Sequence, residues 1–144
     1  AQPFLDREDR GVVLLCRTSN PGAGDLQDLE VDGQPLYERL ATMISQDWNS
    51  NNNCCLVVGA TWPEQMRKLR EITGDMPFLV PGVGAQGGDV EALVKAGQTA
   101  DGTGLMVNSA RGIIYAGSGF DFMQQAREVA IETRDLINQY RHQP

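Results

Sequence analysis

The chain has 144 residues and a mass of 15.7 kDa, which suits one domain of the commonest size and is too short for two. Nineteen acidic side chains against twelve basic ones give a net charge of −7, which argues against a phosphate-tracking nucleic-acid binder. With 41% apolar residues the chain can bury a core. No apolar run reaches the roughly 18 residues of a membrane span, and a complete (β/α)₈ barrel, typically about 250 residues, does not fit.

The segment from Ala1 to Asp9 has helical composition but no start signal, as though the chain began mid-element. Four apolar, β-branched runs then read as strands: Gly11 to Cys16, Cys54 to Gly59, Phe78 to Val83 and Gly104 to Val107. Each is near-continuously apolar, the pattern of strands covered on both faces. A loop rich in Gly, Asp and Asn, from Asn20 to Gly33, follows the first strand. The stripe Leu36, Leu40, Met43, Ile44 and Trp48 comes next, with Pro35 suited to a first turn. After the second strand, Thr61-Trp62-Pro63-Glu64 reads as a capping box leading to Met66, Leu69 and Ile72. Asp89 is a plausible N-cap for a helix carrying Val90, Leu93 and Val94. Phe122, Ala126, Val129, Ala130, Thr133, Leu136, Ile137 and Tyr140 form a last, long amphipathic stripe. Strand and helix alternating at this spacing predict an α/β fold of four parallel βα units in one domain, residues 1–144.

The chemical inventory is narrow. Cys16, Cys54 and Cys55 include no C-x-x-C pair, so they are expected as buried, reduced thiols in a cytoplasmic setting. The seven acids Asp6, Glu8, Asp9, Asp25, Asp28, Glu30 and Asp32 read as solvated, and Trp48 and Trp62 as packing residues. There are ten Arg but only two Lys, Lys68 and Lys95, both inside helical patterns, and one His, His142. A pocket acid or base of the Lys or His type, and triad chemistry, therefore have almost nothing to draw on.

In α/β folds ligands gather at the C-terminal ends of parallel strands. The third such loop, Pro81-Gly82-Val83-Gly84-Ala85-Gln86-Gly87-Gly88-Asp89, contains G-x-G-x-x-G. A dinucleotide site would want an acid at the end of the next strand, where Asn108 and Ser109 stand instead. A phosphate cradle fits better: glycines admit backbone N–H groups to an anion, and the helix after Asp89 turns its positive end toward it. The bland alternative, a tight turn without ligand, does not predict the Arg-bearing loop Asn108-Ser109-Ala110-Arg111-Gly112 on the next strand. Ser19 and Asn20 either open an Asx- or ST-type turn into Pro21-Gly22 or present a hydroxyl and an amide to a polar ring.

The string Val80-Pro81-Gly82-Val83-Gly84-Ala85-Gln86-Gly87-Gly88-Asp89 resembles the orotidine 5′-phosphate decarboxylase family. So do Cys16-Arg17-Thr18-Ser19-Asn20-Pro21-Gly22-Ala23, in the form of one bacterial branch, Val57-Val58-Gly59-Ala60-Thr61 and Val107-Asn108-Ser109-Ala110-Arg111-Gly112-Ile113. The four strand ends match in order, so the resemblance covers essentially the whole chain. It implies strands five to eight of a TIM (β/α)₈ barrel, the C-terminal half, with the N-terminal half outside this chain.

The resemblance also implies roles. Ser19 would bond the amide edge of a pyrimidine, and Gln86 would bridge ring and phosphate. Arg111 would grip the phosphate together with backbone N–H groups of the third and fourth loops, where Gly87 and Ala110 stand. Pro81 and Val83 would flank the apolar pocket beside the departing carboxylate. The implied reaction converts orotidine monophosphate to uridine monophosphate and carbon dioxide, without cofactor or metal, in a cytoplasmic homodimer. The family's Asp-x-Lys-x-x-Asp motif is missing: Met66 stands two residues before Lys68, and Gln98 three after Lys95. The chain alone is therefore expected to bind nucleotide without decarboxylating it. A non-catalytic nucleotide-binding half-barrel is the rival expectation.

Overall fold

The structure, a computed structural model, describes residues 1–83 and 89–142. In chain order the elements are α1 (Gln2–Leu5), β1 (Val12–Arg17), α2 (Gly24–Gln27), β2 (Glu30–Val31), β3 (Gln34–Pro35) and α3 (Leu36–Met43). After a π-helical turn, Ile44–Trp48, follow β4 (Cys54–Val58), α4 (Pro63–Thr73), β5 (Phe78–Pro81) and α5 (Val90–Gly97). The last elements are β6 (Leu105–Asn108), α6 (Arg111–Ile114) and α7 (Phe122–Tyr140). The four long strands form one parallel sheet in the order β1-β4-β5-β6, which is the predicted succession of βα units.

Register explains which residues make the core. Leu14, Leu56, Phe78 and Leu105 stand side by side across the sheet and face the helices, with Leu56 and Phe78 fully buried. Burying each such side chain is worth about 1.5–3 kcal/mol. Ile44, Met66, Leu69, Leu93 and Val94 complete this layer from the helix side. The neighbouring row is Leu15, Val57, Leu79 and Met106. It looks the other way, and there Leu15 is 61% exposed, Val13 52% and Met106 46%. This corrects the expectation of cover on both faces: within the described residues the helices cover only one. The last helix is likewise only partly seated. Ile137 and Tyr140 reach the core, whereas Phe122, Met123 and Leu136 are exposed.

Other details depart from expectation for local reasons. The stripe of α3 is rotated, so that Tyr37, Ala41 and Ile44 are buried and Leu36, Leu40 and Met43 only half-buried. The capping box before α4 does not form. Trp62 is the N-cap, no side chain caps the helix, and the Thr61 hydroxyl is buried without a partner among the described residues. Asp89 caps α5 as expected, accepting from Ala92 N at 3.2 Å. The loop from Asn20 to Gly33 holds α2 and the start of a hairpin, whose turn places Asp32 and Gly33 at φ 56° and 76°. That is the Asp-Gly arrangement of a type I′ turn. No helix among the described residues is long and apolar enough to cross a membrane.

Candidate active site

The C-terminal ends of the four strands are stitched into one edge by the backbone. Gly59 N donates to Arg17 O at 2.8 Å, Ala60 N donates to Pro81 O at 3.0 Å, and Pro81 lies opposite Asn108. Ser19 leaves β1 on this edge, Pro81 and Val83 leave β5, and Ala110 and Arg111 leave β6. With strands about 4.8 Å apart, β1 and β6 are roughly 14 Å from each other. Ser19 and Arg111 are thus held at opposite ends of one edge of the sheet.

Ser19 Oγ is buried, and among the described residues it has no hydrogen-bond partner. Buried hydroxyls are normally bonded, so an unpaired one at a strand end is a group free to take a partner. Val83 is buried and Pro81 half-buried, two apolar residues on the same edge. Ala110 is the N-cap residue of α6 and Arg111 its first residue, both exposed. No carboxylate among the described residues lies within ion-pair distance of Arg111. Gln86 and Gly87 lie outside the described residues. The Asp89 carboxylate itself holds the Ala92 N–H, so it takes part of the positive helix end assigned to an anion.

Neither lysine stands at this edge. Lys68 is on α4, 3.6 Å from Glu71, and Lys95 is on α5, paired with Glu91 and set over the Tyr140 ring at 5.9 Å. Both are ordinary surface pairs one helical turn apart. The three thiols are buried and free. Burial pushes Cys16 up to about 12, against a smaller lowering by Arg17, so it stays a protonated, inert thiol. Among the described residues no group of three or more His, Cys, Asp or Glu is placed to hold a metal ion.

Sequence reasoning passed over Arg17, which is 1% exposed. The register of β1 against β4 slips between Leu15 and Arg17, so that Cys16 and Arg17 together span one step of the partner strand. Strict alternation would send Arg17 to the open face after Val13 and Leu15. The slip instead turns it into the helix layer, a known use of bulges. There its guanidinium lies 5.3 Å from the Tyr37 ring centroid and 4.7 Å from that of Trp62. Asp28 pairs with it at 3.1 Å, so this acid is not merely solvated as its loop position suggested. A charge inside an apolar run was the available signal.

The family model described as orotidine 5′-phosphate decarboxylase / HUMPS family matches residues 2–129. The orotidine 5′-phosphate decarboxylase of Cellvibrio japonicus is 63% identical over 136 residues, covering 94% of this chain and 50% of that protein. That of Azoarcus is 60% identical over 139 residues, covering 96% and 52%. Among solved structures, Leishmania donovani UMP synthase superposes with a TM-score of 0.82 at 41% identity, over 94% of this chain and 30% of that one. The Methanocaldococcus jannaschii orotidine 5′-monophosphate decarboxylase complexed with inhibitor BMP gives 0.69 at 25% identity, over 95% and 54%. The fold is therefore a half-barrel of four βα units, and the chain spans about half the length of the curated relatives it matches. With its family model matched from residue 2 to residue 129, this chain belongs to the orotidine 5′-phosphate decarboxylase / HUMPS family.

Proposed function

We propose that the chain supplies the pyrimidine- and phosphate-binding half of an orotidine 5′-phosphate decarboxylase. The catalytic Lys and Asp network comes from the other half of the barrel. The observation that carries this reading is the order of groups along the strand-end edge: the Ser19 hydroxyl, unpaired among the described residues, on one side, Pro81 and Val83 between, and the exposed Arg111 on the other. A nucleoside monophosphate has the same order of parts, with a polar ring edge, an apolar ring face and a terminal dianion. Gln86 and Gly87 complete the phosphate grip in this reading, together with the backbone at Ala110.

The division of labour follows from the chemistry. Losing carbon dioxide from the ring leaves a carbanion that a nearby cation must stabilise and protonate. Lys68 and Lys95 are committed to helix surfaces elsewhere. What this half contributes is remote binding energy, which organises the charged centre when both halves are present. The exposed row on the open sheet face, Leu15 to Met106, and the unseated part of α7 are the surfaces the other half would cover. The completed enzyme is proposed as a cytoplasmic homodimer, with residues 1–144 forming a single half-barrel domain.

Turnover of orotidine monophosphate tests the reading. The chain alone is expected to bind uridine monophosphate and release no carbon dioxide. Mixing it with residues of the N-terminal half of the Cellvibrio japonicus relative is expected to produce turnover. Decarboxylation by the chain alone would overturn the division of labour. Nucleotide binding without turnover in the mixture would favour a non-catalytic binding module.

A further inference from the structure

The peptide before Ser19 is held more firmly than its place in an exposed loop calls for. Gln27 Oε1 accepts from Thr18 N at 3.0 Å, and Gln27 Nε2 donates to Thr18 Oγ1 at 3.0 Å. Trp62 Nε1 donates to Thr18 O at 2.9 Å. Thr18 Oγ1 donates in turn to Asn20 Oδ1 at 2.6 Å. Every polar group of Thr18 is thus engaged, by residues 9 and 44 positions away in the chain. Ser19 itself makes no side-chain bond among the described residues.

Arg17 holds the two residues that do the pinning. Its Nη1 donates to Gln27 Oε1 at 3.1 Å, its Nη2 to Asp28 Oδ2 at 3.3 Å, and its guanidinium stacks beneath Trp62. A buried cation bound to an amide, a carboxylate and two rings is a preorganised unit whose members lock one another's rotamers. A fully bonded residue next to an unbonded hydroxyl is the arrangement a recognition group needs. The hydroxyl keeps its bonding capacity while its backbone loses its freedom.

We propose that Arg17, Gln27 and Trp62 act as positioning residues that fix the Thr18 peptide and thereby aim the Ser19 hydroxyl at the ring of the bound nucleotide. They set base recognition without touching the ligand, whereas the phosphate grip at the far side of the sheet does not depend on them. The proposal rests on the nucleotide-binding reading above, and its test separates the two.

Two variants of the full chain are compared with wild type. Gln27→Leu removes the amide while keeping its bulk, and Trp62→Phe keeps a ring over Arg17 but removes the N–H. Affinities are measured by calorimetry for uridine monophosphate and for ribose 5-phosphate, and amide hydrogen exchange is followed at Thr18 and at Leu56. Each variant is expected to lose roughly tenfold for uridine monophosphate and less than twofold for ribose 5-phosphate. In Gln27→Leu, Thr18 should also lose amide protection while Leu56, in the sheet, keeps its own. Equal losses for both ligands, or unchanged binding of both, would overturn the proposal. So would a Thr18 amide that stays protected in Gln27→Leu, or a Leu56 amide that loses protection in both variants. If wild type binds neither compound, the nucleotide-binding reading fails, and the exchange result alone decides whether the unit holds Thr18.

Discussion

Gly59 leaves the space that the Ser19 side chain occupies. A β-carbon on residue 59 would collide with Ser19 Oγ and would stand 3.0 Å from Ser19 N and 3.1 Å from Ser19 Cβ. The two residues lie on adjacent strand ends, bridged by the bond from Gly59 N to Arg17 O. The neighbour that must yield is the Ser19 hydroxyl together with its backbone, so the chain has no cheap way to accept a larger residue here.

Gly59→Ala is therefore expected to cost about 1–3 kcal/mol of stability, the usual range for overpacking, and to weaken uridine monophosphate binding at least tenfold. Adding Ser19→Gly should recover part of the stability, because the principal clash is with Oγ, and none of the binding. Urea unfolding and calorimetry on the two single variants and the double give the coupling directly. Additive stability losses would show that the two sites do not compete for this space.

Arg70 marks the opposite end of the sheet. Its Nε donates to Gly97 O at 2.8 Å, its Nη1 to Gly74 O at 2.6 Å and Met76 O at 2.7 Å, and its Nη2 to Gly97 O at 2.6 Å. It also lies 3.9 Å from the Phe78 ring centroid, and burial lowers its pKa to about 10. One planar group thus ties the ends of α4 and α5 to the start of β5. Arg70→Met should cost about 3 kcal/mol by leaving several carbonyls without a donor, and Arg70→Lys should recover little, since a single ammonium does not reproduce the fork. Nucleotide affinity of the folded fraction should not change, because the proposed ligand edge is at the other end of the strands.

How far the sequence reveals this molecule depends on the range of the interactions involved. Leu56, Phe78, Leu69 and Leu93 fall where apolar runs and helical spacing put them, because those patterns report local geometry and burial together. Ser19, Pro81, Val83 and Arg111 come to one edge because parallel strands bring all their C-terminal ends to the same side. The inward turn of Arg17 is different. It arises from a one-residue slip against β4, about forty positions away: the charge at the end of an apolar run marks Arg17 as unusual, but the slip itself leaves no trace in Cys16-Arg17-Thr18. The fit of Gly59 to Ser19 is equally long-range. The open sheet face misleads for another reason: Val13 and Leu15 have the composition of buried strand residues whether or not a covering partner belongs to the same chain. Only the Asp32-Gly33 turn carried a local signal that composition alone did not resolve into a hairpin.

The buried thiol and phenol predict a loss of stability in base. Burial raises Cys16 from its ordinary 9.0 to about 12. Burial, with help from the Glu38 hydrogen bond, raises Tyr37 from 10.0 to about 12. Both groups keep their protons in the folded chain at a pH where the unfolded chain has released them. Their contribution is full below pH 9, declines as the unfolded thiol and then the unfolded phenol ionise, and is gone above about pH 12. At pH 10 the thiol alone should account for about 1 kcal/mol of lost stability relative to pH 7. Urea unfolding at the two pH values checks this, and Cys16→Ala should flatten the difference by that amount. An undiminished pH dependence in Cys16→Ala would assign the loss to other groups.

Arg111 and Ser19 should separate cleanly when each is removed in turn. Arg111 is the exposed cation on the β6 side, so in the proposed binding mode Arg111→Ala takes away a grip on the phosphate, which uridine monophosphate and ribose 5-phosphate share. Both ligands should then weaken by the same factor, between about tenfold and a hundredfold, as expected for loss of a charge-assisted, bidentate contact. The wild-type affinity should also fall with added salt, and Arg111→Ala should show a shallower fall, because an exposed ion pair is screened. In the same binding mode Ser19→Ala removes only the hydroxyl proposed to face the ring, so it should weaken uridine monophosphate while leaving ribose 5-phosphate and the salt dependence as they were. If Arg111→Ala spares ribose 5-phosphate, the phosphate lies elsewhere and the order of groups along the strand-end edge must be read in the other direction.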